Sequence, residues 1–140
     1  MPEDYEQGLI DASRAAAPEL KDPYDLAASR YALDGELLIW AIADGGLLEK
    51  QIKVITKDFE RIHSTFHSTA KPDRCLNQNQ IGSRLGLFRS PEYGKMVASP
   101  RRSYYAFTEK RMRGYARLRA ALQGAQLSPD HPFSSSTRTQ

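Results

Sequence analysis

The chain has 140 residues, of which 40% are hydrophobic and 26% charged, and its formal net charge is +3 at pH 7. Its most apolar run, Leu37 to Ala43, is far shorter than the roughly 18 residues that a membrane-spanning helix needs, so we expect no membrane partner. The N-terminus, MPEDYEQ, lacks the layout of a secretory signal, and the one cysteine, Cys75, is compatible with a reducing compartment. These features predict a cytoplasmic protein.

Length and composition predict a single helical domain over residues 1–127. We expect an acidic helical half at 1–67 and a basic half at 76–124, joined by a polar linker. The segment 128–140, SPDHPFSSSTRTQ, has two prolines and a Ser/Thr run. We therefore predict a flexible tail there.

The first two predicted helices lie in the acidic half. Helical spacing of apolar residues indicates a helix from about Glu3 to Ala17, which ends before Pro18. Asp22 is suited to an N-cap and Pro23 to the first helical position. A second, strongly apolar helix is therefore predicted from Pro23 to about Asp44, and its apolar circumference favours the centre of a core.

A third helix shows the clearest period in the chain, after a break at Gly45 and Gly46. Its apolar residues recur at intervals of three and four: Leu48, Ile52, Ile55, Phe59, Ile62 and Phe66. Together the second and third helices predict a central helical hairpin over residues 23–67. Its apolar stripes are either the core or a surface for a homo-oligomer or a protein-complex partner.

Charge is distributed unevenly along the chain. Residues 1–60 hold 13 acids against 6 bases, a balance of −7, whereas residues 84–119 hold 10 bases against 2 acids, a balance of +8. Tyrosines and a phenylalanine are interleaved with these bases, a composition typical of surfaces that neutralise phosphates. The candidate nucleic-acid-binding residues are Arg84, Arg89, Lys95, Arg101, Arg102, Lys110, Arg111, Arg113, Arg117 and Arg119. The alternative is that the two halves attract each other or another protein.

The segment Asn77 to Val97, NQNQIGSRLGLFRSPEYGKMV, carries the most specific pattern. An apolar residue, a small one, a second apolar residue, a glycine and a third apolar residue follow in the order Ile81, Gly82, Leu85, Gly86 and Leu87. This order resembles the first helix of the helix-turn-helix family of DNA-binding proteins. The resemblance implies that Gly86 takes the positive φ at which that helix ends, and that Phe88 to Ser90 form the turn.

The same resemblance implies a recognition helix that begins at Pro91, with Tyr93 and Met96 packing inward. Base reading would then fall to residues at its beginning: Arg89, Ser90, Glu92, Tyr93 and Lys95.

Two structures fit the residues that follow. In a winged variant of the family, Lys95 to Ser99 and Ser103 to Phe107 form a short β-hairpin with Arg101 and Arg102 at its tip. In the other, Ser99 is an N-cap and Pro100 begins a helix that runs to Gln123. In both, the end of the segment is helical and Gly124 is its C-cap.

The sequence contains no recognisable catalytic motif, and we predict neither an enzyme nor a cofactor. His63 and His67 are four residues apart on the third helix and, with Cys75 or Glu60, have a spacing compatible with a metal. The apolar stripe beside them favours half-exposed polar neighbours of the core instead, so no metal site is predicted.

Three functions fit these features. The first is a small DNA-binding regulator or accessory protein, with DNA favoured over RNA. The second is a structural subunit of a ribonucleoprotein, because size, helix content and one basic face resemble the small subunits of CRISPR effector complexes, which hold nucleic-acid backbone without reading sequence. The third is a phage or plasmid inhibitor whose basic face binds an acidic protein.

Overall fold

The computed structural model describes residues 2–30, 33–66 and 74–128. Within these ranges the helices are α1 (Pro2–Arg14), α2 (Pro18–Arg30), α3 (Leu33–Ala43), α4 (Ile52–Thr65), α5 (Gln78–Phe88) and α6 (Arg111–Leu122). The strands are β1 (Lys50–Gln51), β2 (Val97–Arg101) and β3 (Tyr104–Phe107), and a 3-10 turn spans Pro91–Tyr93. The predicted mainly α fold with one short β-hairpin is confirmed, and within the predicted helical hairpin it is α3 that packs against α4. The predicted tail from residue 129 onward and most of the predicted linker lie outside the described residues.

The predicted single helix from Pro23 to Asp44 is wrong, because two helices occupy this segment. The first begins at Pro18, where a missing N–H costs nothing, and Pro23 lies inside it. α2 and α3 then pack against each other. A Cβ atom on Gly35 would lie 2.4 Å from the carbonyl oxygen of Ala27, so this approach requires glycine.

α3 lies at the centre of the core. Every residue from Asp34 to Ala43 is buried, and the helix contacts α2, α4 and α6. A helix that is apolar around most of its circumference has to be enclosed in this way.

A buried hydrogen-bond network joins α2, α3 and α6. The Tyr24 hydroxyl donates to Glu36 Oε2 over 2.6 Å, and Trp40 Nε1 donates to the Tyr24 oxygen over 3.0 Å. Gln123 Nε2 donates to Glu36 Oε1 over 2.9 Å. Burial, and then the Glu36 carboxylate, raise the pKa of Tyr24 above its ordinary range, so the hydroxyl remains a donor. The buried polar groups of Tyr24, Glu36 and Trp40 are thus hydrogen-bonded.

α4 carries the predicted apolar stripe, apart from its first residue. Ile55, Phe59, Ile62 and Phe66 are buried, and the Phe66 ring lies edge-on to Trp40 with 5.1 Å between the ring centres. Leu48, predicted as the start of the stripe, precedes the helix and is 64% exposed. The buried part of the stripe therefore belongs to the core. A protein partner of the 23–67 segment would have to contact residues other than those of the buried stripe.

The three strands form an antiparallel sheet in the order β1, β3, β2. The β-hairpin alternative for residues 95–107 is thus confirmed, and a helix that begins at Pro100 is wrong. Pro100 lies instead where the register of β2 shifts, between Ala98 and Arg101, a position that tolerates a residue without an N–H. β1, which pairs Lys50 with Tyr105, had no signal in the sequence.

α6 ends as predicted at a glycine with positive φ. Gly124 has φ of 80°, and its N–H donates to Ala121 O over 3.0 Å while Ala125 N–H donates to Ala120 O over 2.9 Å. These two bonds form a Schellman motif, which pairs carbonyls that the helix end leaves unpaired.

Lys50 is buried at the C-terminal end of α3 and is only 2% exposed. Its Nζ donates to Ala41 O over 2.6 Å and to Asp44 O over 3.1 Å, and it forms an ion pair with Asp58. A cation at this end also compensates the negative end of the helix dipole.

Asp44 extends this ionic cluster to α4 and α6. Its side chain is fully buried, pairs with Arg61, and accepts the N–H of Ser128 over 2.6 Å. Arg117 Nη1 lies 4.0 Å from Asp44 Oδ1 and donates to Ala43 O over 3.1 Å. We refer to Asp44, Lys50, Asp58, Arg61 and Arg117 as the α3 ionic cluster.

Substitution of Lys50→Met should lower the free energy of unfolding by roughly 3 kcal/mol, because it leaves two helix-end carbonyls without their donor and the partly buried Asp58 with only Arg61, 4.0 Å away. Urea unfolding at neutral pH measures this loss. Lys53→Met, which removes an exposed lysine three residues away, is the control and should change stability by no more than about 0.5 kcal/mol.

The stability difference between the wild type and Lys50→Met should depend on pH through the titration of Lys50. Burial lowers the pKa of Lys50 below 10.5, despite the opposing effect of Asp58. The folded chain therefore releases this proton before the unfolded chain does, so the cost of burying the charge is relieved as pH rises towards 10.5. The wild type should gain stability relative to Lys50→Met over that window, and an equal loss in both variants would contradict the assignment.

Candidate nucleic-acid interface

The β-hairpin places two arginines at its tip. β2 ends at Arg101, and the turn contains Arg102 and Ser103, whose φ is 67°. Ser99 Oγ lies 2.9 Å from Arg101 O and 2.8 Å from Tyr104 O, so its single O–H is shared between carbonyls on the two sides of the turn. The turn is therefore held by local hydrogen bonds, and Arg102 is exposed on it.

The tip is also attached to the acidic half. Ile52 N–H donates to Ser103 O over 2.8 Å, and Arg101 Nε lies 3.2 Å from Glu49 Oε1. The Arg101 guanidinium stacks 3.9 Å from the centre of the Tyr104 ring, and its side chain is still 62% exposed. These contacts fix the position of the tip without covering its charge.

Lys53 joins this surface from α4, which the sequence analysis did not predict. It is exposed and directly follows Ile52, whose N–H is bound to the hairpin turn. The first turn of α4, with the positive end of its dipole, thus lies beside the tip. No local pattern could have indicated this, because a lysine in the acidic half reaches the hairpin only through long-range pairing.

Further cations lie at the root of the hairpin. Lys95 has φ of 52°, and its carbonyl accepts the hydroxyl of Thr108, while Met96 O accepts Thr108 N–H over 3.0 Å. Arg89, at the end of α5, is exposed as well. β2 has five residues, so root and tip are separated by roughly 16 Å at a rise of about 3.3 Å per residue.

We define the hairpin surface as Lys53, Arg89, Lys95, Arg101 and Arg102. All five are exposed. Within the described part of the chain, Lys53, Arg89, Lys95 and Arg102 form no ion pair. Lys110 is also exposed but lines a separate cavity with Leu48 and Phe107.

Two of the predicted phosphate-binding arginines have structural contacts instead. Arg117 is half-buried in the α3 ionic cluster. Arg119 pairs with Asp25 over 2.9 Å, donates to the Tyr115 hydroxyl over 2.7 Å, and lies 4.4 Å from the centre of the Tyr24 ring. These contacts join the acidic and basic halves, which is what the alternative interpretation expects of them.

The remaining three predicted cations, Arg84, Arg111 and Arg113, differ in their exposure and in the groups with which they interact. Arg111 is exposed but pairs with Glu109 over 3.0 Å. Arg84 and Arg113 are half-buried, and their charges act on the buried groups Asp34 and Lys50. The structure thus does not bring the ten predicted cations into one surface.

α5 forms where the helix-turn-helix resemblance implies its first helix. The Asn77 side chain accepts Gln80 N–H over 2.9 Å, and the Gln80 side chain accepts Asn77 N–H over 2.9 Å, which makes a complete capping box. Gly86, however, lies inside the helix, which continues to Phe88, and is not among the residues with positive φ. The implied helix end at Gly86 is therefore wrong.

The implied recognition helix from Pro91 is also wrong. Only one 3-10 turn forms, and Gly94 ends it with φ of 65°. Ser90 O accepts the N–H groups of both Tyr93 and Lys95, over 3.1 and 3.0 Å, which reverses the chain towards β2.

Of the five predicted base-reading residues, Arg89 and Lys95 belong to the hairpin surface, and the other three have unequal positions. Tyr93 is buried against Phe88, with 5.9 Å between the ring centres, and cannot reach a base. Ser90 is half-buried and donates to Leu87 O over 2.7 Å. Glu92 is exposed, but its negative charge disfavours a site next to phosphates.

The histidine pair cannot be evaluated as a pair, because His67 lies outside the described residues. His63 is buried and stacks on Phe59, so it borders the core as predicted but is not half-exposed. Among the residues that the structure describes, no group of three or more His, Cys, Asp or Glu side chains is placed to hold a metal ion.

Comparison with known proteins gives no match for this chain, whether to a family model, to a curated protein or to a solved structure. None of the described helices combines the length and apolar character that crossing a bilayer requires.

Substitution of Gly86→Ala tests the conformation of α5 at the glycine where the helix-turn-helix resemblance implies a helix end. No atom lies within 4 Å of a Cβ added there, so alanine should raise the free energy of unfolding by about 0.5–1 kcal/mol, as expected for an exposed helical site. Gly94→Ala, at a positive φ, should instead lower it by about 1 kcal/mol. Urea unfolding of both variants measures the difference, and destabilisation by Gly86→Ala would favour the helix-turn-helix geometry.

Proposed function

We propose that this protein is a non-enzymatic nucleic-acid-binding protein that contacts the phosphate backbone of DNA through the hairpin surface. The observation that carries the proposal is the arrangement of exposed cations at both ends of a hairpin with a fixed tip; four of them pair with no acid among the residues that the structure describes. Such cations release the counterions that condense on DNA, which is the main source of sequence-independent affinity.

The dimensions of the surface support contact with several phosphates. The hairpin separates its tip and root cations by roughly 16 Å, a length of duplex axis that carries about nine phosphate charges. Because the tip is bound to Ile52 and Glu49, little backbone order has to be gained on binding.

Backbone contact is favoured over base reading. A helix of several turns does not follow α5, and Tyr93 is enclosed in the core. A hairpin with arginines at its tip has the shape of elements that lie along the backbone, and phosphate contacts fix position without reading sequence.

This lack of a reading helix also supports a second candidate, a structural subunit that holds the backbone of RNA in a ribonucleoprotein. The hairpin surface is the same in both, since phosphates are common to DNA and RNA. The two candidates differ in the preferred strand and in the presence of protein partners.

A non-enzymatic role is supported by the state of the buried polar groups. Tyr24, Glu36 and Trp40 bond to one another inside the core, and Lys50 bonds to carbonyls at a helix end. These contacts stabilise the fold and engage the polar atoms of these four side chains in structural hydrogen bonds.

Binding to mixed-sequence duplex DNA should weaken steeply with salt. If four cations of the hairpin surface each neutralise one phosphate, the logarithm of the association constant should fall with the logarithm of salt concentration with a slope of about −3 to −4. Fluorescence anisotropy with several unrelated duplexes measures the slope and should give similar affinities for all of them. Absence of binding at physiological salt would contradict the proposal.

Lys95→Gln should reduce the magnitude of that slope by about 0.9. Lys21→Gln removes the same charge from an exposed position on α2 and is the matched control, with no change expected in the slope. A single-stranded RNA competitor of equal length distinguishes the candidates, because displacement at lower concentration than DNA would favour the ribonucleoprotein subunit.

A further inference from the structure

An acidic groove lies between α2 and the 3-10 turn. Its apolar lining consists of Pro18, Pro23 and Leu26, together with an edge of Tyr93, and Leu26 is 46% exposed. Glu19 and Asp22 supply its charge, and lysine and arginine are absent from its lining.

A basic cavity of opposite character lies across the ends of β1 and β3. Leu48 and Phe107 line it with Lys110, Arg113 and Glu49, and the Glu49 carboxylate is paired with Arg101, so the cavity has an excess of cations. Leu48 is 64% exposed, and its neighbour Leu47 is 58% exposed. Exposed leucines beside a cationic rim are a common composition of protein-binding surfaces.

The two surfaces complement each other in charge and apolar content. Both flank the N-terminus of α6, because Lys110 lines the basic cavity and the next residue, Arg111, interacts electrostatically with Glu19 of the acidic groove. The groove and the cavity of one molecule have fixed positions in its fold and cannot bind each other. A second molecule offers a cavity to the groove of the first and a groove to its cavity.

We propose that the acidic groove of one molecule binds the basic cavity of a second copy, with Leu48 inserted beside Leu26 and Lys110 facing Asp22. Exposed leucines of the 23–67 segment, rather than its buried stripe, are then the self-association contacts. This inference does not rest on nucleic-acid binding, because neither the groove nor the cavity includes a residue of the hairpin surface.

The test is a charge exchange between molecules, measured by sedimentation velocity without nucleic acid. The wild type should associate reversibly, with a dissociation constant below roughly 1 mM. Asp22→Lys and Lys110→Glu should each weaken self-association about tenfold or more, because like charges then face each other. An equimolar mixture of the two variants should associate at least as strongly as the wild type.

Controls separate this result from unfolding and from general charge effects. Lys57→Glu makes the same charge change at an exposed position of α4 outside both surfaces and should leave association unchanged. Leu48→Ser should weaken association without lowering the free energy of unfolding, because Leu48 is exposed. A wild type that remains monomeric at a protein concentration of roughly 1 mM would overturn the proposal. So would a mixture of the two charge variants that fails to associate.

Discussion

The carboxyl end of α3 has to be buried together with the charges that neutralise it, and the rest of the structure depends on this constraint. Lys50 donates to Ala41 O and Asp44 O and also begins β1, so the cation that closes the helix sets the first strand of the sheet. β1 pairs with β3, and the hairpin tip in turn accepts the first N–H of α4. The ionic cluster thereby positions the hairpin surface.

The same constraint divides the basic residues of the chain into two populations. Arg117 and Arg119 pair with acids of the N-terminal half and are half-buried, whereas Arg89, Lys95 and Arg102 remain exposed. Buried cations of this kind are costly to expose or to remove, because their partners would be left without compensation. The net charge of residues 84–119 therefore overstates the number of cations that are exposed and available to a phosphate backbone.

The sequence predicted those elements whose cause is local. The stripe from Ile55 to Phe66 and the helix end at Gly124 follow from residue spacing and glycine conformation. The sequence did not predict the separation of α2 from α3, because it depends on the contact of Gly35 with Ala27.

β1 and the contribution of Lys53 were missed because both arise from pairing between distant segments. The predicted helix end at Gly86 was wrong because the residues next to it in the sequence match the helix-turn-helix motif, whereas the space around it in the fold lets the helix continue. Among the candidate site residues, composition predicted the exposed arginines of the hairpin but could not identify those that acids in the other half neutralise.

The division of the cations is the central claim, and paired measurements on two variants test it most directly. Arg102→Gln should reduce the salt slope of DNA binding by about 0.9 and leave the free energy of unfolding within about 0.5 kcal/mol of wild type. Arg117→Gln should lower the free energy of unfolding by about 2 kcal/mol and leave the slope unchanged. A reduced slope with unaltered stability for Arg117→Gln would contradict the account.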